Sequence, residues 1–203
     1  MKLTAICLAR PEILPGKSYR TGINKIALNA PVMVDANGLV GDAVCNRKHH
    51  GGPDQAILLE GSLTRDWWSA ELGLDFPPGT FGENLLVEGL DNREVAVGDR
   101  FHFGEVSLEA TSCRIPCATL SAKMGDPGFA KRYALAGRPG IYCRVLRHGM
   151  LAPGEAVRRE AFTGERIMMA ELLATFGKRF SESQKKRFLA APVSERLRAA
   201  ILA

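Results

Sequence analysis

Val106-Ser-Leu-Glu-Ala-Thr-Ser-Cys-Arg-Ile-Pro-Cys-Ala-Thr-Leu120 opens as a strand and closes as a helix. Val106, Leu108 and Ala110 alternate with polar residues, the period of a half-buried strand. Residues 118–124 favour a helix, and Pro116 stiffens the backbone just before it. Cys117 therefore falls at a strand-to-helix junction. There the free N–H groups of a first helical turn and the positive end of its dipole lower a thiol's pKa, and Arg114 adds a cation three residues earlier. Such a thiolate is a nucleophile or a soft-metal ligand. The same residues also fit a buried, inert cysteine, the ordinary state of a free thiol in a core.

Outward from this stretch the pattern repeats as short strands. Residues 100–103 and 106–110 form a hairpin over Gly104-Glu105, whose Gly-X order suits a type II′ turn. Residues 2–8 read as a strand, 11–22 as a loop, and 31–35 with 38–40 as a hairpin through Asn37-Gly38. Further strands are expected at 55–59, 84–88, 94–97 and 140–146, with two short ones punctuated by Gly149 and Pro153-Gly154. Residues 62–72, stopping at Gly73, and 127–135, stopping at Gly137, have helical spacing. Short strands with only two or three brief helices predict a mainly β fold over residues 1–160, as a closed or nearly closed barrel.

The period changes in the tail. Met169, Leu172, Leu173 and Phe176 fall at helical spacing before Gly177, and Ser181-x-x-Gln184 is a capping-box pattern. Pro192 breaks that second helix, and a third over 194–202 carries Val193, Leu197 and Ile201 on one side. Residues 161–203 are thus expected to form a three-helix appendage.

Composition narrows the function classes. With 203 residues, 46% of them apolar, the chain suits one sizeable domain with an appendage. Its apolar runs fall short of a membrane span, and the N-terminus lacks a signal-peptide core. Five irregularly spaced cysteines argue against a disulfide framework and for a reducing cytoplasm. The +5 net charge lies entirely in the tail, where residues 158–203 hold 10 Lys and Arg against 5 Asp and Glu. The tail's aromatic residues, Phe162, Phe176, Phe180 and Phe188, read as helix core rather than base-stacking platforms, which argues against nucleic acid.

Three other stretches carry chemistry. In Thr21-Gly22-Ile23-Asn24-Lys25, a Gly after a hydroxyl with a nearby Lys suits an anion, or an ordinary turn. Arg47-Lys48-His49-His50-Gly51-Gly52-Pro53-Asp54 crowds cations against a glycine pair that lets backbone approach a ligand, a phosphate-like site. A solvated loop is the alternative. Phe81-Gly82-Glu83-Asn84-Leu85 sets a carboxylate and an amide at the mouth of a strand. His102 alternates with Phe101 and Phe103 and reads as a surface residue.

In this order, these elements and Arg114-Ile-Pro-Cys117 resemble the MOSC domain family (molybdenum cofactor sulfurase C-terminal domain), and within it the YiiM-type proteins. The resemblance implies a β-barrel and a molybdopterin-type molybdenum cofactor, its metal ligated by Cys117. It implies cofactor contacts from Thr21, Lys25, Arg47, His49, His50, Glu83, Asn84 and Arg114. Pyridoxal phosphate has no place in this reading. The implied reaction is reduction of a small N-hydroxylated compound of the hydroxylaminopurine type. No flavin fingerprint or iron–sulfur spacing is present, so electrons are expected from a separate flavin or iron–sulfur protein, with the basic tail as a docking surface. The chain departs from the family at Cys113, an extra thiol before the motif cysteine, and at Asn24, where relatives often carry an aromatic. Two rival expectations stand: a persulfide carrier at Cys117 without molybdenum, and a non-enzymatic binding module. The oligomeric state is open, a homodimer included.

Overall fold

The computed structural model describes residues 1–202. In chain order come strands β1 (Lys2–Ala9), β2 (Glu12–Ile13), β3 (Arg20–Thr21), β4 (Lys25–Leu28), β5 (Val32–Asp35), β6 (Gly38–Leu39) and β7 (Ile57–Gly61), then helix α1 (Ser62–Leu72). Strands β8 (Leu85–Glu88), β9 (Arg100–His102) and β10 (Ser107–Cys113) lead to helices α2 (Ala118–Lys123) and α3 (Phe129–Ala136). Strands β11 (Ile141–Arg147), β12 (Gly149–Leu151) and β13 (Arg158–Glu160) precede helices α4 (Met169–Thr175), α5 (Glu182–Leu189) and α6 (Glu195–Leu202).

Eight strands form one sheet in the order β13-β9-β10-β11-β7-β8-β1-β4. Every neighbour pair is antiparallel except β7–β8, which α1 joins as a crossover, because parallel strands cannot be linked by a tight turn. β10 is buried along its whole length, so the strand feeding Cys117 is fixed on both faces.

Of the closed or nearly closed barrel expected, full closure is not found among the described residues. β1 gives its outer edge to β4 only over residues 6–9. The first half of that edge meets the segment before β13 through Leu3 N to Glu155 O, Gly154 N to Leu3 O and Val157 N to Met1 O, at 2.7–2.9 Å. The sheet therefore curls back on itself, but among the described residues its end strands share no ladder. Too few residues of β1 remain free to build one.

Other expectations shift locally. Residues 94–97 form no strand; a 3-10 turn occupies Asn92–Glu94, and only an isolated bridge pairs Ala96 with Met168. That segment spends its hydrogen bonds on the chain leading into α4 (Val97 N to Ile167 O, 2.9 Å). The Gly104-Glu105 turn is not type II′, since Gly104 is absent from the positive-φ glycines. Its N–H is instead taken by Glu155 Oε2 at 2.9 Å. His102 is half-buried, with Nδ1 3.1 Å from Ser107 Oγ. Phe176 lies just past α4 and is 64% exposed, because the chain turns before the fourth apolar position completes its face.

One apolar cluster fills the curl, from Leu3, Ile6, Leu59, Leu85, Phe101 and Leu108 to Leu172, Phe188 and Ile201 of the tail helices. The buried Asp99 carboxylate ties the two parts: it accepts from Ala96 N, Phe162 N and both terminal nitrogens of Arg166 at 2.8–3.1 Å. The capping box at Ser181 and Gln184 is present as read. A second, aromatic cluster packs Trp68, Phe81, Phe129 and Tyr133 around Leu120 of α2. Trp68 stacks on Tyr133 at 5.8 Å, whereas Trp67 lies under the Arg138 guanidinium, 4.6 Å from its ring centre.

Candidate active site around Cys117

Cys117 sits at the N-cap of α2, held from both directions. Behind it, Arg114 N donates to Gly140 O at 2.8 Å, the last tie to the sheet. Ahead of it, Leu120 is fully buried in the aromatic cluster. The sulfur opens on a cavity of about 130 Å³. Thr21, Lys25, His50, Asn84 and Arg114 also line it, and so do Tyr19, Asp42, Cys45 and Tyr142.

The thiol is unlike its neighbours. Burial alone raises it, but the facing His50 side chain, the amide of Leu120, the Arg114 guanidinium and the amide of Thr119 together outweigh burial and bring it down to about 6. Cys113, 6% exposed, has no such partners, and burial pushes its thiol up to about 12. Cys113 is not on the cavity wall. All five cysteines are free.

Each remaining candidate has a definite place. Arg114 is 6% exposed, and among the described residues its Nη1 has no hydrogen-bond partner. A buried guanidinium N–H without a partner costs about 1–3 kcal/mol or more, so this group is poised for an acceptor. His50 Nδ1 lies 3.3 Å from the Tyr142 hydroxyl. Lys25 pairs with Asp42, which also accepts from Asn84 Nδ2 at 2.8 Å. Burial lowers the Lys25 pKa against the pull of Asp42. Asn84 Oδ1 accepts from Leu58 N at 3.0 Å, so its amide fastens β7 to the cavity wall. Thr21 Oγ1 accepts from Ile23 N at 3.2 Å and shapes the 21–25 turn.

Three candidates are not on the cavity wall. Arg47 and His49 point outward and are exposed. Glu83 is fully buried beneath the wall, where its Oε1 accepts from Gly79 N at 2.6 Å.

Several contributors were not singled out by sequence. Lys123 of α2 donates to Ile23 O (3.0 Å) and Gly79 O (2.6 Å), locking the 21–25 turn against the helix that begins at Cys117; burial lowers its pKa to about 8. Tyr19 Oη and Thr119 Oγ1, 3.0 Å apart, link the 11–22 loop to α2. Tyr142 had a legible signal: its neighbours Ile141 and Cys143 face the core, so alternation turns it to the other side. Gly22 is required by close approach, since a Cβ there would lie 2.0 Å from the Ala43 carbonyl oxygen. Behind Arg114 lies Glu60, 1% exposed, whose carboxyl burial and the nearby Glu83 push well above the usual range.

A family model, the MOSC domain, matches residues 46–158, more than half of the chain. The chain belongs to the MOSC domain family. Among MOSC relatives, it is 33% identical over 149 residues to the Bacillus subtilis protein YflK, covering 72% of this chain and 67% of that one. It is 31% identical to Escherichia coli YiiM, covering 68% and 65%. A Gibberella moniliformis protein named Reductase is 30% identical over 70% of this chain, which spans only 26% of that longer protein. The crystal structure of YiiM from Geobacillus stearothermophilus superposes with a TM-score of 0.81 at 25% identity, covering 99% of this chain and 97% of that one. Escherichia coli YiiM gives 0.76 at 22% identity, covering all of this chain and 91% of that one, a likeness of fold. This MOSC chain shares their sheet-dominated architecture with helices. Among the described residues, no helix is long and apolar enough to cross a membrane.

Proposed function

We propose that this MOSC chain is a molybdenum-cofactor-dependent reductase of small N-hydroxylated compounds, working in the cytoplasm with electrons from a separate flavin or iron–sulfur protein. The observation that carries the reading is the Cys117 thiol, titrating at about 6 on a cavity whose wall includes the buried Arg114 side chain. The donor set fits the cofactor. Among the described residues no three His, Cys, Asp or Glu side chains gather to hold a metal ion. A metal at Cys117 must therefore arrive with most of its own ligands, as molybdenum in a dithiolene pterin does. A thiolate is the ligand such a metal takes, and Arg114 and His50 suit an anionic group on the pterin. Thr21 and Gly22 line the same cavity, Gly22 packing its Cβ-free backbone directly on the Ala43 carbonyl. Lys25 is already neutralised by Asp42, so Arg114 supplies the cation. Arg47, His49 and Glu83 lie off the cavity wall.

When bound, the cofactor supplies the two-electron chemistry for N–O cleavage, in which R–NHOH, two electrons and two protons give R–NH2 and water. The chain's part is binding, orientation and proton supply. Cys117 holds the metal at a fixed point of the wall. His50, braced by Tyr142, is the group beside the sulfur able to hold and pass a proton. The fungal relative's name, Reductase, supports reductive chemistry. Five free cysteines suit a reducing compartment.

A second reading rests on the same ionised thiol: Cys117 as a persulfide carrier. Elemental analysis separates the two, on protein made in a host that synthesises the cofactor. Molybdenum near one per chain, lost in Cys117→Ser, is the expected result. Metal-free protein carrying cyanide-releasable sulfur would replace the reductase with the carrier.

A further inference from the structure

The loop that carries His50 is held from a distant part of the chain. Within it, His49 N and His50 N both donate to Asn46 O, at 3.3 and 2.9 Å. The carbonyls of Lys48 and His49 in this turn take no backbone donor among the described residues. Both are taken by one side chain of the C-terminal helix: Arg196 Nη1 donates to His49 O at 2.6 Å, and Nη2 to Lys48 O at 3.1 Å.

The start of α6 is itself fixed. Ser194 N donates to Thr111 O of β10 at 3.1 Å, and Glu195 N to Asp54 Oδ2 at 2.7 Å. Asp54 Oδ1 pairs with Arg144 of β11 at 2.9 Å, and Arg144 Nη2 also reaches the carbonyls of Pro192 and Val193. The base of Arg196 is therefore anchored to the strand that leads to Cys117, and its guanidinium grips the loop that brings His50 to the sulfur. No other side chain hydrogen-bonds to the carbonyls of residues 47–50 among the described residues.

We propose that Arg196 is a positioning residue for the site: the C-terminal helix latches the 46–50 loop and thereby sets where His50 stands relative to Cys117. The tail is then part of the site's machinery rather than an appendage. A planar fork with two parallel donors suits paired carbonyls as a single ammonium does not, which is why the latch is an arginine. The latch rests on the site geometry described above and deepens its assignment as an active site, but it does not require molybdenum.

The test uses the full-length, cofactor-free chain at one fixed pH. Hydrogen exchange is followed for peptides covering residues 46–52, and the His50 ring resonance is followed by NMR of histidine-labelled protein. Four histidines are present, and His50→Gln assigns the signal. Arg196→Ala should speed exchange in 46–52 at least tenfold and shift the His50 resonance toward that of a free imidazole, with the peptides of β10 unaffected. Arg196→Lys should recover part of both effects. Arg198→Ala, which removes only a surface pair with Glu195, should change neither. An unmoved His50 resonance in folded Arg196→Ala overturns the proposal, as does equal loosening by Arg198→Ala. Should Arg196→Ala not fold, Arg196→Lys alone decides: wild-type exchange and resonance there refute a role for the two-pronged grip. Wild-type protein that binds no molybdenum sinks the reductase assignment and leaves this result standing.

Discussion

Replacing His50 with Ala tests the electrostatics of the site most directly. In the folded chain the Cys117 thiol falls from 9.0 to about 6, and His50 is the largest of the groups that oppose the rise from burial; Leu120 N–H, Arg114 and Thr119 N–H supply the rest. A hydrogen bond to a charged group contributes about 1.5–3 kcal/mol. At 1.36 kcal/mol per unit, its loss moves the thiol up by about one to two units, to a midpoint of about 7–8. At pH 7 the thiolate fraction then falls from about nine-tenths to between about one-half and one-tenth. The assay is the pH profile of iodoacetamide alkylation, read peptide by peptide because the exposed Cys45 also reacts. A midpoint unchanged from wild type would refute the claim that His50 holds the thiolate. A rise to 9 would show that the helix amides and Arg114 do no more than cancel the effect of burial.

Other perturbations follow from the same geometry. Because the folded thiol is depressed, the unfolded chain binds more protons between about pH 6 and 9. The stability advantage of wild type over Cys117→Ser should therefore be complete above about 9 and shrink as pH falls to about 6, as measured by urea unfolding across that range. Glu60→Gln should cost less than about 1 kcal/mol at pH 7, since burial favours the neutral form of that carboxyl and an amide is nearly isosteric. Chemical denaturation checks it, and a loss like that of a broken buried pair would contradict the preference for the neutral form. Asp99→Ala should cost about 3–5 kcal/mol, because it strands Arg166 and two backbone amides at once. Its unfolding midpoint should drop accordingly. Gly22→Ala places a methyl 2.0 Å from the Ala43 carbonyl; folded variant should show altered exchange at residues 20–23 and 43–46, and unchanged exchange at both would contradict the close approach.

Much of this architecture was legible because local signals and tertiary structure agree. Ser181-x-x-Gln184 closes its capping box as written, and Gly73 and Gly137 end their helices at φ 64° and 63°. Residues 94–97 were misread because their apolar alternation serves burial against the tail rather than a ladder. Sheet closure was illegible for a related reason: the return to β1 is made by backbone atoms of residues 154–157, which carry no side-chain code. At the site, Cys117, His50 and Arg114 were within reach because each stands beside a chain signal, a proline, a glycine pair or the cysteine itself. Lys123 and Arg196 were not, since each acts on carbonyls far away in the chain, 44 to 148 residues distant, and long side chains cannot be aimed from sequence.

Between the last sheet hydrogen bond, at Arg114 N, and the sulfur of Cys117 lie only Ile115 and Pro116. That is a short mast on a rigid deck, with proline removing one of its few hinges. The sulfur has almost no freedom to swing, so anything entering or leaving must come to it, and whatever yields during exchange has to be the facing wall formed by residues 19–25 and 43–51.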